Sequence, residues 1–422
     1  MVFVSMEVPS SPEIKKLLTV RPAENALGIR APSFRVWQEG STKGTIRIPR
    51  FCQDGSVQAR GTQGEPASIS FSGNLREHQV VAVEKGIEAR NGVLSLDVGL
   101  GKTVCALALA ARFKRRTLII VHKGFLADQW IERIKQFCPG STIGRIQQDE
   151  FSIGNDFVIA MIQTLCTREF SRGSFKSFGT LIVDEAHHIA AQAFSQSMFL
   201  MTPMYTIGLT ATPERKDGLT RLLYWFMGPE FFRLQRSNQE QVTLHRVPFN
   251  CKEFLEAPPV TRFGKLDFSG IVTRLTQIPE RNNLLKEIIL KSPGRHVLVL
   301  TDRREHAFWL RENLEGSALY IGGLDQKVLD ESAKARIVIG TFSLAQEGLD
   351  IPTLDTIFLV TPHSDVKQAV GRILRGASCP VIWDVVDSWS VLYSMWRKRL
   401  AIYKELGICL PSDEVPKGKC LI

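Results

Sequence analysis

The sequence predicts an α/β protein: two parallel-sheet units joined by a connector, preceded by a small β-rich segment. Three observations carry this. Over residues 74–232, apolar runs of strand length alternate with amphipathic runs of helix length, the pattern of a parallel sheet with crossover helices. The alternation stops, then restarts at Glu280. A chain of 422 residues also exceeds one core and fits two or three domains.

Residues 1–73 differ in kind. Short strand-like stretches at 34–37 and 44–48 are separated by Gly, Ser, Pro and Gln clusters. They read either as a small β-rich appendage or as a partly ordered leader. In the first unit, 74–232, strands are expected at 93–96, 117–121, 157–161, 181–183 and 205–208. They are apolar on both faces, as buried parallel strands must be. Helices are expected to start near Lys102, Gly124, His188 and Asp217. Residues 233–279 lack periodicity and read as a connector with one strand at 242–249.

The second unit, 280–422, opens with a helix at 281–290, a strand at 296–300 and a helix from Arg303. Strands at 318–321, 336–339 and 356–360, a helix at 366–374 and a strand at 381–385 follow. A basic helix at 391–406 ends the unit and carries Trp396, Arg397, Lys398, Arg399 and Lys404. That helix reads as a contact for nucleic acid or a partner, or as a solvated face packing Leu400 and Tyr403 inward.

Composition narrows the class. Hydrophobic residues at 44% and charged residues at 23% exclude long disorder and a collagen-like repeat. Lys plus Arg number 53 against 43 Asp plus Glu; the net charge of +10 suits a polyanion, although many ordinary proteins carry as much. The eight Cys form no CxxC pair, which fits reduced thiols rather than disulfides or zinc. No apolar run reaches the ~18–20 residues of a membrane span. The N-terminus lacks the basic start and apolar core of a signal peptide, and Cys420 is misplaced for prenylation. A soluble, intracellular protein without a membrane partner is expected.

The strand at 93–96 runs into Asp97-Val98-Gly99-Leu100-Gly101-Lys102-Thr103 and then a helix. Glycines let backbone N–H groups approach phosphate oxygens, and the helix N-terminus adds positive potential. Gly99, Leu100, Gly101, Lys102, Thr103 and Val104 are thus the expected nucleotide loop. Lys102 would reach the β and γ phosphates, and the Thr103 hydroxyl would hold Mg²⁺. The full motif asks for Gly where this chain has Leu96. At the end of a later strand stand Asp184-Glu185-Ala186-His187. Asp184 would orient Mg²⁺ through water, and Glu185 would position and deprotonate the attacking water. A solvated acidic turn is the bland alternative, and His188 reads as structural.

These residues resemble motifs of superfamily-two helicases. GLGKT, DEAH and Thr210-Ala211-Thr212-Pro213 look like motifs I, II and III. Thr341 with Glu347-Gly348-Leu349-Asp350 looks like motif V, and Gln368-Ala369-Val370-Gly371-Arg372-Ile373-Leu374-Arg375 like motif VI. Leu75-Arg76-Glu77-His78-Gln79 is similar to the adenine-sensing Gln motif. The extension Glu214-Arg215-Lys216-Asp217-Gly218 resembles XPB-like helicases and translocases. His122, where most relatives have Pro, leads into Gln129-Trp130 and resembles motif Ia of poxvirus-type transcript-release helicases of large DNA viruses.

The resemblance covers about 74–389 and implies two RecA-like domains that hydrolyse ATP with Mg²⁺ and move along nucleic acid. It places Gln368, Arg372 and Arg375 at the γ-phosphate, with the arginines as fingers three apart on one helix face. Gly348 permits close approach, and Asp350 serves the ribose or orients the fingers. Gln129, Gln163, Thr164 and Thr341 would lie along the nucleic-acid track. His187, Thr210 and Thr212 would couple the two sites. DNA stands ahead of RNA on subfamily likeness alone. Transcription or replication machinery would be the wider partner, and host cytoplasm, nucleus or virion the location in the viral case. The alternatives are an RNA helicase, a duplex translocase that does not separate strands, and a binding module with a decayed ATP site.

Overall fold

The computed structural model describes residues 6–23, 31–52, 61–97, 99–171, 173–201, 203–215, 217–235, 242–262, 264, 266–347, 351, 353–373 and 379–409. At 6, 326, 345–347, 372 and 390 it describes the backbone alone. The chain divides into two compact units, Met1–Gln235 and Arg236–Ile422.

In the first unit the described strands from Asn91 onward form one sheet. Its order is Glu230–Leu234, Asn91–Leu96, Tyr205–Thr210, Thr180–Val183, Thr117–Val121, Phe157–Met161, Ile143–Gln147 and Glu150–Phe151. All neighbours are parallel except the last pair. Successive residues of a strand face opposite sides. Accordingly Leu118, Ile120, Leu181 and Val183 enter the core on one face, and Ile119, Val121 and Ile182 enter the core on the other. Register pairs Thr210 with Ser95 and Val183 with Gly208, so Leu96, Val183 and Thr210 end near one edge.

Helix Lys102–Phe113 is rich in Ala and Leu, strong helix formers, and residues 105–111 are buried. Helix Gly124–Phe137 buries Leu126, Ala127, Trp130 and Ile134, one apolar stripe at helical spacing. Two expected helices differ. The one near His188 is a 3₁₀ turn, Ala186–Ala190, followed by the short helix Gln192–Ser197. The one near Asp217 starts at Thr220, because the Asp217 carboxylate accepts from Leu219 N at 3.1 Å and pairs with Arg215, which holds a loop there.

The N-terminal segment is ordered and β-rich where described. Met6–Pro9, Thr45–Ile48 and Gln38–Glu39 make an antiparallel sheet, and Thr19–Val20 pairs with Phe34–Arg35. Val20, Phe34 and Val36 pack into the same core as Phe194 and Met198. Polar ties reinforce this: Arg50 Nη1 donates to Pro203 O at 2.6 Å, and Gln196 Nε2 to Arg35 O at 2.7 Å.

The second unit carries an all-parallel sheet. Its order is Thr243–Phe249, Val381–Asp387, Thr356–Leu359, Val297–Thr301, Ile337–Thr341 and Ser317–Tyr320. The stretch read as connector therefore does more than connect. Thr243–Phe249 is an edge strand, and Ile271 and Leu275 of helix Phe268–Leu275 enter the core. Buried Arg281, from helix Pro279–Leu290, pairs with Asp387 at 2.7 Å and donates to Val360 O at 2.7 Å. The closing helix, Ser390–Glu405, packs inward through Trp396 and Tyr403. Arg399 is buried with it, bound to Asp384 at 2.8 Å, whereas Arg397, Lys398 and Lys404 stay exposed. Among the described residues no helix is long and apolar enough to cross a membrane.

Candidate nucleotide site

At the carboxyl edge of the first sheet, Leu96 leads into the glycine loop and helix Lys102–Phe113. Gly99 and Gly101 have φ of 85° and 86°, the left-handed region that glycine enters at little cost. At Gly101 a Cβ would also lie 2.2 Å from Gln79 Nε2, so no side chain fits. Gln79 is buried; its Nε2 donates to Leu100 O at 3.1 Å and its Oε1 accepts from Arg76 N at 2.9 Å. His78 Nε2 lies 3.0 Å from the same carbonyl. The expected adenine sensor thus also braces the phosphate loop and caps helix Glu77–Ala89. Lys102 Nζ donates to Leu96 O at 2.9 Å, lying along its own loop, and Thr103 and Val104 occupy the first helical turn, half-buried.

Two strands across, Val183 delivers Asp184 and Glu185 to the same edge. Asp184 Oδ1 accepts from Glu185 N at 3.0 Å, and Oδ2 accepts from Trp130 Nε1 at 2.9 Å. Burial and the neighbouring Glu185 carboxylate push the Asp184 carboxyl up; the Trp130 bond and the Lys102 charge oppose them. Glu185 has φ 46° and ψ 52°, a left-handed conformation for a residue with a Cβ. Its Oε2 is buried without a hydrogen-bond partner. A helix N-terminus, a lysine, a first-turn hydroxyl, a strand-end carboxylate and that orphaned oxygen form a donor set that fits a Mg²⁺-bound triphosphate.

A polar chain leaves this site. His187 Nδ1 lies 3.4 Å from Glu185 Oε2 and 3.1 Å from Thr210 Oγ1, which in turn accepts from Thr212 N at 3.1 Å. Arg215 Nη1 donates to His187 O at 2.7 Å while its fork grips Asp217. The three expected coupling residues are therefore joined directly.

The expected nucleic-acid residues fare unequally. Gln163 is exposed, its Nε2 donating to His122 O at 2.7 Å; Gln129 is half-buried on helix Gly124–Phe137. Thr164 is buried, and its hydroxyl accepts from Gln148 N at 3.0 Å, so it pins a turn. In the second unit, Thr341 Oγ1 lies 3.2 Å from Ser343 Oγ, and Gln368 is half-buried on helix Lys367–Ile373. Arg372 sits on that helix, its side chain not described; Gly348, Asp350 and Arg375 lie outside the described residues. Trp130 and Arg215 were given no role from sequence. A Trp on an apolar helix stripe reads as core, and only the fold shows its N–H meeting a carboxylate.

A parallel sheet with a lysine–threonine loop and paired carboxylates at its carboxyl edge defines a P-loop nucleotide hydrolase. Comparisons sharpen this. A family model described as "Type III restriction enzyme, res subunit" matches residues 72–215. The DNA 3'-5' translocase XPB2 of Sulfurisphaera tokodaii is 36% identical over 374 residues, covering 77% of this chain and 84% of that one. A protein of Acanthamoeba polyphaga mimivirus provisionally named ATP-dependent RNA helicase L396 is 34% identical over 338 residues, 76% of this chain and 65% of its own. One of Invertebrate iridescent virus 6, provisionally named helicase 161L, is 29% identical over 380 residues, 81% and 83%. The chain spans just under two thirds of the mimivirus protein's length. It belongs to the XPB-like branch of the superfamily-two helicases, with relatives in large DNA viruses, and its class is that of an ATP-hydrolysing helicase or translocase.

Proposed function

We propose that the protein uses ATP hydrolysis to move along DNA. The observation that supports this most is the run of close polar neighbours from Glu185, 3.4 Å from His187 Nδ1, through His187 to Thr210 and Thr212, beside the lysine–threonine loop. It gives the attacking-water position a physical link to the rest of the sheet edge.

In this reading Lys102 and the loop N–H groups bind the β and γ phosphates. Thr103 and Asp184 hold Mg²⁺, which when bound neutralises phosphate charge. Glu185, with a free carboxylate oxygen, takes the proton of the attacking water. Gln368, Arg372 and Arg375 are assigned to the γ-phosphate, where positive charge compensates the transition state. Gly348 and Asp350 are assigned to the nucleotide, and Gln129, Gln163 and Thr341 to backbone contacts. Such contacts carry little sequence information.

DNA rests on the name of the Sulfurisphaera translocase; the name of the mimivirus relative supports RNA as the second reading. ATP turnover with single-stranded DNA, duplex DNA and RNA as stimulators ranks them. Stimulation by DNA above RNA is expected, falling as salt rises because backbone contacts release counterions. Stimulation by RNA alone favours the second reading; turnover indifferent to every polymer overturns both.

A further inference from the structure

We propose that Trp130 is a positioning residue: its indole N–H fixes the Asp184 carboxylate and transmits occupancy of the nucleic-acid track to the phosphate site. The inference rests on the reading above in which Asp184 serves Mg²⁺ and helix Gly124–Phe137 borders the track.

The ring of Trp130 is 2% exposed and belongs to the core beside Ile134 and Leu126. Packing alone would ask only for an aromatic or aliphatic side chain there. What packing does not ask for is the indole nitrogen, a donor with no acceptor function, placed 2.9 Å from Asp184 Oδ2. The other oxygen, Oδ1, takes the Glu185 N–H at 3.0 Å. One bond comes from the carboxylate's own turn and the other from a different element. The second therefore sets where the carboxylate points relative to helix Gly124–Phe137. Hydrogen bonds to a charged acceptor are about twice as strong as neutral ones.

That helix is tied to the motif II turn at a second point. The His122 ring, just ahead of it, lies 4.5 Å centroid to centroid from His188, which itself lies 4.3 Å from His187. The His122 carbonyl accepts from Gln163, one of the residues assigned to the backbone track. Gln129, another, is the immediate neighbour of Trp130. Asp128, on the solvent side, is held by Arg145 at 2.6 Å. A pull on Gln129 or Gln163 is thus delivered to the histidine pair and to the Asp184 carboxylate by two short, stiff links. The indole is locked in a packed core, so it moves with its helix rather than by turning about its own bonds.

Trp130→Phe tests this, since it keeps the ring in the core and deletes the N–H. Affinity for a non-hydrolysable ATP analogue is measured with Mg²⁺ and with EDTA, each with and without a single-stranded DNA oligonucleotide. Wild-type protein is expected to bind the analogue more tightly with Mg²⁺, and more tightly again with DNA. In the variant, affinity in EDTA stays close to wild type. The gain from Mg²⁺ falls about tenfold, the worth of one hydrogen bond to a charged group, and the DNA-linked gain shrinks with it. Ile134→Val, on the same buried stripe, is the packing control: it lowers thermal stability and moves neither ratio. A Phe variant that keeps both gains overturns the inference and leaves the motor reading standing. Wild-type protein whose analogue affinity ignores DNA overturns the motor reading and the transmission with it. A second measurement needs no variant: the Trp130 indole N–H resonance shifts when Mg²⁺ and analogue are added. A resonance that does not move overturns the assignment.

Discussion

Glu185 is where backbone strain and chemistry meet. A left-handed conformation costs a residue with a Cβ about 1–2 kcal/mol. Here it turns the carboxylate back toward the strand end, beside Asp184 and within 3.4 Å of His187 Nδ1. The buried Oε2 has no hydrogen bond. Glu185→Gln preserves shape and removes the carboxylate assigned as the base. It is expected to retain analogue binding and to lower ATP turnover by a factor of about 10² to 10⁴. Turnover near wild type in a steady-state assay would remove Glu185 from the base role. Gly101 shows the same economy of space: its missing side chain leaves room for Gln79, whose Nε2 donates to Leu100 O at 3.1 Å.

Elements in the second unit are locked by buried polar links. His306, on helix Arg304–Asn313, has Nδ1 3.0 Å from Thr301 Oγ1 at a strand end and Nε2 3.2 Å from Asn282 Oδ1 on helix Pro279–Leu290. Burial, aided by the nearby Arg281 charge, lowers its pKa to about 3. The folded state therefore holds His306 neutral while the unfolded chain protonates it near pH 6.5. Its contribution to stability is complete above that pH and is lost as pH falls from about 6.5 toward about 3, at ~1.4 kcal/mol per pH unit. Denaturation midpoints of wild type and His306→Gln across this window check the sign. The wild-type curve should fall more steeply, and parallel curves would contradict the linkage. The neighbouring Arg281–Asp387 pair, fully buried, acts differently: either partner alone would be a buried uncompensated charge, so the pair specifies how helix and strand meet.

At the scale of the whole molecule, the proposed reading assigns residues of both units to one nucleotide. The first holds the loop, the carboxylates and the polar neighbours around His187; in the second, Gln368 and Arg372 lie on helix Lys367–Ile373. A transition state that moves negative charge onto phosphate oxygens needs compensation that the first unit's single loop lysine supplies only in part. Arg375→Ala is therefore expected to leave analogue affinity near wild type and to reduce turnover about 10³-fold or more. Lost affinity with turnover retained would assign Arg375 to binding instead. The net charge of +10 acts at this scale too, favouring encounter with a polyanion without choosing its sequence.

Much of this architecture was legible in the chain itself. Runs such as Thr117–Val121 are apolar on both faces, and only a strand covered on both sides explains them. The loop 97–103 announced its chemistry because glycine, lysine and threonine are each needed at fixed spacing for phosphate. Glu230–Leu234, at one edge of the sheet, and Ile143–Gln147, next to the other, were missed, since strands near a margin are half-covered and their sequence is mixed. The burial of Thr164 was not legible, because its polarity says nothing of direction; Gln148 N donates to its hydroxyl. The deepest divide is between local and distant contacts. Spacing along the chain determines which residues share a turn, as in the phosphate loop. The bond from Trp130 to Asp184 spans 54 positions, and the relay from His187 to Thr210 spans 23. Only the packing of strands side by side decides such meetings, because hydrogen bonds depend on angles and ångströms that no interval in sequence encodes.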